Sequence, residues 1–379
     1  MTKRIVLFSG GTACRNINVA LCRLPVELTR VVPAWDSGGS SRTIREAFGV
    51  IAVGDIRQAL MTMAHGEGRA GDVVKIFNAR ISAGASPPEA RAEFAYYAES
   101  RHPLLRRLEP GLRGVILSYL AAFQARAGDA FDFRGGSIGN FILTGAYFSH
   151  GDDINNAIFV FRQLCTIHGQ VWPSTKANGV ALQATLGDGS RVAGQHRVTA
   201  LDEGQAAKGI ARIALTAPAG EPVDANGAAL DAVRSADLVV FGPGSLFSSL
   251  MPHLLVDGIA EAVAANRGVP KAFVGNILEC AETRGMSVAE MLERFLALAD
   301  AKAGAGGLGL THVVHNAELF PFDRWVGQAR YARRGDLEAL CDRHGMTLVE
   351  GHFEDAWNRG QHDGPQVAEA LAGLAQGGG

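Results

Sequence analysis

Apolar β-branched runs in this chain repeatedly end in glycine-rich loops that lead into helical patterns, and this feature constrains the fold most. RIVLF at 4–8 breaks into SGGTACRN and then INVALCRL. LTRVVPAW at 28–35 breaks into DSGGSSR and then TIREAF. DLVVFG near 237–242 breaks into PGSLFSS. A short apolar run fully buried between helices reads as a parallel strand, and strand–loop–helix–strand is a right-handed βαβ unit. The expected fold class is α/β: a mostly parallel sheet with helices on both faces. KAFVGN, THVVHN and, as an edge, GMTLVEGHF supply further strands.

Two stretches depart from this rhythm. From 56 to 130 apolar residues recur three and four apart through IRQALMTMA, DVVKIFNARI, PPEARAEFAYYAES and GVILSYLAAFQARA, which predicts an inserted helical subdomain. Residues 178–200 alternate around Asp188-Gly189, which predicts a β-hairpin. The domain expectation is a core over 1–320 that carries the insertion, with a strand–helix extension over 321–379 packed on it.

The 379-residue chain has a net charge of −2, which gives no global electrostatic case for nucleic acid or for a membrane surface. No apolar run reaches the length of a membrane span. The five scattered cysteines include no CxxC, which fits a reducing cytoplasm. The arginines at 101–113 and 324–334 are expected to be solvated faces.

In an open parallel sheet, the loops at the strands' carboxyl ends form one crevice. Four loops carry matching chemistry: SGGTACRN, WDSGGSSR, GGSIGN and FGPGSLFSS. Amide hydrogens at helix N-termini favour anions, so such loops would hold a diphosphate without many lysines. The candidate ligand-binding residues are Gly10, Gly11 and Thr12; Ser37, Gly38, Gly39, Ser40 and Ser41; Arg57; Gly139 and Asn140; Gly242, Gly244 and Ser245; and Asn276. The spacing matches neither G-x-G-x-x-G nor the Walker loop. Asp36 ends the second strand, where an acid can take ribose hydroxyls, bind a hard cation together with phosphate oxygens, or close an Asx turn. Asp55 is either a helix cap or a second carboxylate in the same crevice, with Arg57 either clamping phosphate or forming an ion pair. Asn140 and Asn276 either hold their own loops or read a base or sugar. Trp35 is placed to stack on a ring. Cys14 has no partner that would support a nucleophile.

Taken in order, GGTA at 10–13, DSGGSS at 36–41, GDIR at 54–57, GSIGN at 136–140, GPGSLFSSLMPHLLV at 242–256 and FVGN at 273–276 resemble one superfamily. It unites the 2-phospho-L-lactate transferases of deazaflavin coenzyme synthesis with the gluconeogenesis-factor (UDP-sugar-binding) proteins. The resemblance runs from about residue 4 to 320, and GDIR, DSGGSS and GPGSL are nearer the UDP-sugar branch. It implies a Rossmann-like core and a nucleotide-diphosphate site in the loops named above. It also implies Mg²⁺ held by Asp36 and, in the transferase branch, passage of a phosphoester group from a nucleotide-activated donor, with Asp36 and Asp55 as catalytic acids. The alternative implied function is a non-catalytic UDP-sugar-binding regulator. The expected partners are a nucleotide diphosphate or nucleotide sugar and a second copy of the chain, most simply in a dimer. The chain departs from the family wording at Ala13, where a glycine is usual, and at Ser37, where a second acid is usual.

Overall fold

The computed structural model describes residues 2–11, 14–66, 71–304, 306–317 and 324–377. The strands are β1 (Lys3–Phe8), β2 (Val26–Val32), β3 (Gln170–Pro173), β4 (Ala181–Leu186), β5 (Arg191–Ala193), β6 (Ile210–Thr216), β7 (Leu238–Phe241), β8 (Lys271–Val274), β9 (His312–Asn316), β10 (Trp325–Val326), β11 (Ala329–Arg330) and β12 (Thr347–Gly351). Seven of them form one parallel sheet in the order β12-β9-β8-β7-β1-β2-β3. Read outward from β1, the order runs one way through β2 and β3 and the other way through β7, β8, β9 and β12. The reversal, the topological switch point, lies between β1 and β7.

The register puts the carboxyl ends in one row. Phe8 pairs with Val31 and with Phe241, Phe241 with Phe273, Val274 with Val314, and Asn316 with Gly351. The loops after these strands therefore leave from one edge of the sheet. Phe8, Val31, Val32, Phe241 and Val313 are fully buried because helices cover both faces. Each such side chain contributes about 1.5–3 kcal/mol by leaving water. Phe8 and Phe241 stack across the switch point with centroids 5.0 Å apart, which ties the two halves of the sheet together.

The helical insertion has its own aromatic core. Phe94, Phe123, Phe131, Phe133 and Phe141 pack edge-to-face and stacked around one another, with Phe48 of the core joining from outside. Within it, the helices Pro110–Ala127 and Ile138–Ser149 approach so closely that a side chain on Gly145 would overlap the Tyr119 carbonyl. Asp153 caps the next helix, accepting the amides of Asn155 and Asn156.

β4 and β5 form the hairpin around Asp188-Gly189, and β6 completes an antiparallel sheet with β4. β12 joins the main sheet beside β9, and the helix Gly364–Ala375 packs on Arg15–Leu21, with Gly364 against the Asn16 carbonyl. β3 and the short β10–β11 pair have too few residues to show a period in the sequence. Among the described residues, no helix is long and apolar enough to cross a membrane. Ala305 and the boundary drawn at 320 lie outside the described residues.

Candidate functional site

The four glycine loops meet at the switch point, and they are joined by side chains. Gly11 stands against Asp55, whose carboxylate accepts the Gly11 amide. Gly54 stands against both Asp36 and Ser41, so neither glycine has room for a Cβ. Gly10 faces Ser249 of the fourth loop, with 2.9 Å between Ser249 Oγ and the position of an added Cβ. Gly242 packs on Cys14 and Leu7. The third loop joins through Asn140, whose Nδ2 donates to Ser40 Oγ at 2.9 Å and whose Oδ1 accepts from Arg57 Nε at 2.9 Å. Gly139 packs on the Phe77 carbonyl and the Arg57 stem. Gly11, Gly38, Asn140 and Gly244 thus lie along one edge of the molecule. Thr12 and Ala13 lie outside the described residues.

Asp36 bends its own loop. Its Oδ1 accepts the Gly38 amide at 3.0 Å, an Asx turn, while Oδ2 faces Gly54. The helix Gly39–Phe48 starts at once, and Gly39 takes a left-handed φ of +48° in open space. Only a glycine makes that entry without strain. Asp55 sits in the first turn of the helix Gly54–Gly66. Burial first, and the charge of Asp36 second, push its carboxyl up to about 7. Two carboxylates on one loop cluster are a fitting place for a hard cation, which takes one or two carboxylates plus phosphate oxygens, although Arg30, Arg45 and Arg57 already offset part of their charge. Among the described residues there is no group of three His, Cys, Asp or Glu that could hold a metal without help from a ligand.

Several residues singled out from the sequence are spent on holding the loops. Arg57 is buried, and its guanidinium serves Asn140, Asn78 Oδ1, the Phe77 carbonyl and Gln58 Oε1. Asn276 grips the fourth loop from both sides, accepting the Gly244 amide at 2.9 Å and donating to its carbonyl at 2.8 Å. The amides of Phe247 and Ser248, which begin the π-turn Leu246–Leu250, donate to buried Glu282 at 3.0 Å each. An internal carboxylate therefore fills the anion position at the start of that turn. Trp35 does not face a ligand: it is fully buried, its Nε1 donates to the Ser248 carbonyl at 2.8 Å, and its ring meets His253 edge-on. Cys14 is fully buried, donates to the Pro243 carbonyl, and burial pushes its thiol up to about 12, which leaves no thiolate.

Three supporting residues were not among the sequence candidates. Arg30, inside β2, is fully buried and reaches under the first loop, donating to Ser9 Oγ at 2.9 Å and the Gly10 carbonyl at 2.8 Å. Its one sequence signal is a cation within an apolar strand. Arg45 donates to the Trp35 and Asp36 carbonyls and to that of Val180. His196, in the short helix Gln195–Val198 that follows β5, clamps Ser37: Ser37 Oγ accepts the His196 amide at 3.1 Å and shares a hydrogen bond of 2.9 Å with Nδ1. No local pattern announces either of the last two contacts.

Along the same edge, past Asn276, lies a cleft of about 660 Å³ over the ends of β8, β9 and β12. Arg324, Arg330, Arg333 and Arg334 line it together with His315, Asn316 and Glu350. The arginine run at 324–334 is therefore not simply a solvated face.

A family model described as 2-phospho-L-lactate transferase CofD matches residues 5–353. The chain belongs to the CofD family. Its relatives include a putative gluconeogenesis factor of Nostoc, 28% identical over 97% of this chain and 68% of its own. The gluconeogenesis factor of Halalkalibacterium halodurans is 26% identical over 97% of this chain and 95% of its own. That of Listeria monocytogenes is 29% identical over 98% and 95%. The crystal structure of protein BH3568 from Bacillus halodurans superposes with a TM-score of 0.70 at 22% identity, covering 98% of this chain and 100% of that one. This likeness establishes the shared α/β fold. The CofD family model spans the switch-point loops and all of β12, which ends at Gly351.

Proposed function

We propose that this CofD-family protein binds a nucleotide diphosphate ligand across the switch point and acts as an Mg²⁺-assisted transferase of a phosphoester group. The observation that carries the reading is the junction of Gly11, Asp55, Asp36 and Gly54, where two acids face glycine backbone at the strands' carboxyl ends. Backbone at Gly10, Gly11 and Gly39 would approach the pyrophosphate, and Asp36 with Asp55 would hold the cation between protein and phosphate. A divalent cation there offsets charge on the leaving phosphate. The chain's own part is to orient: Arg30 and Arg45 fix the loop carbonyls beneath the ligand, and the Asn140–Ser40–Arg57 node fixes the two loops relative to each other.

A second reading, a UDP-sugar-binding regulator, is favoured by one contact. Ser37 stands where the family usually has its second acid, and its hydroxyl is committed to His196. The names of the curated relatives point the same way. Calorimetric titration with GDP, UDP and UDP-sugars, each with and without Mg²⁺, separates the two readings. The transferase reading expects binding that needs Mg²⁺ and is lost in Asp36→Asn. The regulatory reading expects tight binding of a UDP-sugar without Mg²⁺ and no product. Failure of every nucleotide to bind under either condition would refute both.

A further inference from the structure

The cleft beyond Asn276 carries chemistry that the switch-point loops do not use. Four arginines from an eleven-residue stretch reach it, and among the described residues that line it the one acid is Glu350. Arg334 is neutralised by Glu350, with contacts of 2.8 and 3.2 Å. Arg330 lies over the exposed Trp325 ring, 5.2 Å from its centroid, and Arg333 donates to the Gly285 carbonyl. Glu290 lies near Arg333, and among the described residues neither Arg330 nor Arg333 has an acid within ion-pair distance.

Two buried polar atoms of cleft-lining residues, His315 Nδ1 and Asn316 Oδ1, have no hydrogen-bond partner among the described residues. His315 is only 6% exposed. Its Nε2 faces Glu350 Oε1 at 4.0 Å, and Nδ1 is the ring nitrogen left for a ligand. Both atoms belong to residues at the end of β9 that line the cleft, and a buried polar group without a partner is satisfied when a ligand reaches it. Polar atoms without a partner beside these arginines suit a group with hydroxyls and a negative charge. Asn276 belongs to both this cleft and the fourth loop, so the cleft continues the crevice.

We infer that the cleft binds the distal half of the ligand, and that this half is a polyhydroxylated acid: a sugar ring bearing a carboxylate, with hydroxyls on His315 Nδ1 and Asn316 Oδ1 and the carboxylate on Arg330 and Arg333. The inference deepens the proposed nucleotide reading and rests on it for the position of the pyrophosphate.

The test therefore uses probes that carry no base. Binding of glucuronate 1-phosphate and glucose 1-phosphate to the full chain is measured by ligand-observed NMR and calorimetry, for the wild type and for an Arg330→Gln/Arg333→Gln variant. Both arginines are exposed, so the variant is expected to melt as the wild type does. Expected is a preference for the uronate of about tenfold or more, as charge-assisted pairing gives, and its loss in the double variant. Asn316→Asp, which sets a second negative charge in the cleft, is expected to weaken the uronate and not the neutral sugar. Equal affinities, binding of neither probe, or a preference that survives the double variant would overturn the inference. Failure of the nucleotide reading shows separately, as absence of binding by GDP, UDP and UDP-sugars while the uronate preference persists.

Discussion

The carboxylate of Asp55 occupies the space into which a side chain on Gly11 would project, and it accepts the Gly11 amide. The first loop and the helix Gly54–Gly66 are therefore packed backbone to carboxylate, with no slack between them. Gly11→Ala is expected to cost about 1–3 kcal/mol, as overpacking does. In an Asp55→Ala background the same substitution should cost at least about 1 kcal/mol less, because the clashing oxygen is gone. Urea unfolding of the four proteins of this cycle measures the coupling, and strictly additive costs would contradict it.

Asn140 is the node where the second and third loops meet. Asn140→Ala strands Arg57 Nε inside the protein, leaves Ser40 Oγ with the Ser137 amide alone, and is expected to destabilise by about 1–3 kcal/mol. Asn140→Asp keeps an acceptor for Arg57 and should cost less. A melting series in which aspartate proves the worse of the two would show that the donor to Ser40 dominates.

Glu282 sets a pH dependence. Burial outweighs its hydrogen bonds from Ser248 and Phe247 and pushes the carboxyl from 4.5 up to about 7. Between those values the folded state binds more protons than the unfolded chain, so stability falls as pH rises through this window and levels off above it. The span corresponds to about 3 kcal/mol as an upper figure. Glu282→Gln keeps an acceptor for the two amides without the charge. Its chemical-denaturation midpoint should change less than that of the wild type between pH 5 and pH 8, at about constant ionic strength. Parallel curves for the two proteins would remove Glu282 as the cause.

Two helix glycines should respond in opposite directions. Gly145→Ala drives a methyl into the Tyr119 carbonyl between two helices and is expected to cost about 3 kcal/mol. Gly114→Ala, on the open side of the helix Pro110–Ala127, meets nothing and should stabilise by about 0.5–1 kcal/mol through helix propensity. Thermal melts of both variants check the pair, and a stabilised Gly145→Ala would mean that the two helices separate freely.

The sequence by itself determined the parallel α/β core, the helical insertion, the hairpin at Asp188-Gly189 and the glycine loops at the strand ends. Those features rest on local periodicity and on the backbone freedom of glycine, which the order of residues states directly. Only the tertiary structure decided how the loop groups are used. Trp35 turns inward to Ser248, Arg57 is spent on Asn140 and Phe77, and Glu282 takes the amides of the fourth loop. Each is a contact between residues 20 or more positions apart, fixed by which buried polar group had to find a partner. The same holds for His196 on Ser37 and for the arginine cleft, where backbone pairing of Tyr331 with Leu278 and of Ala332 with Ile277 brings the 324–334 stretch beside Asn276.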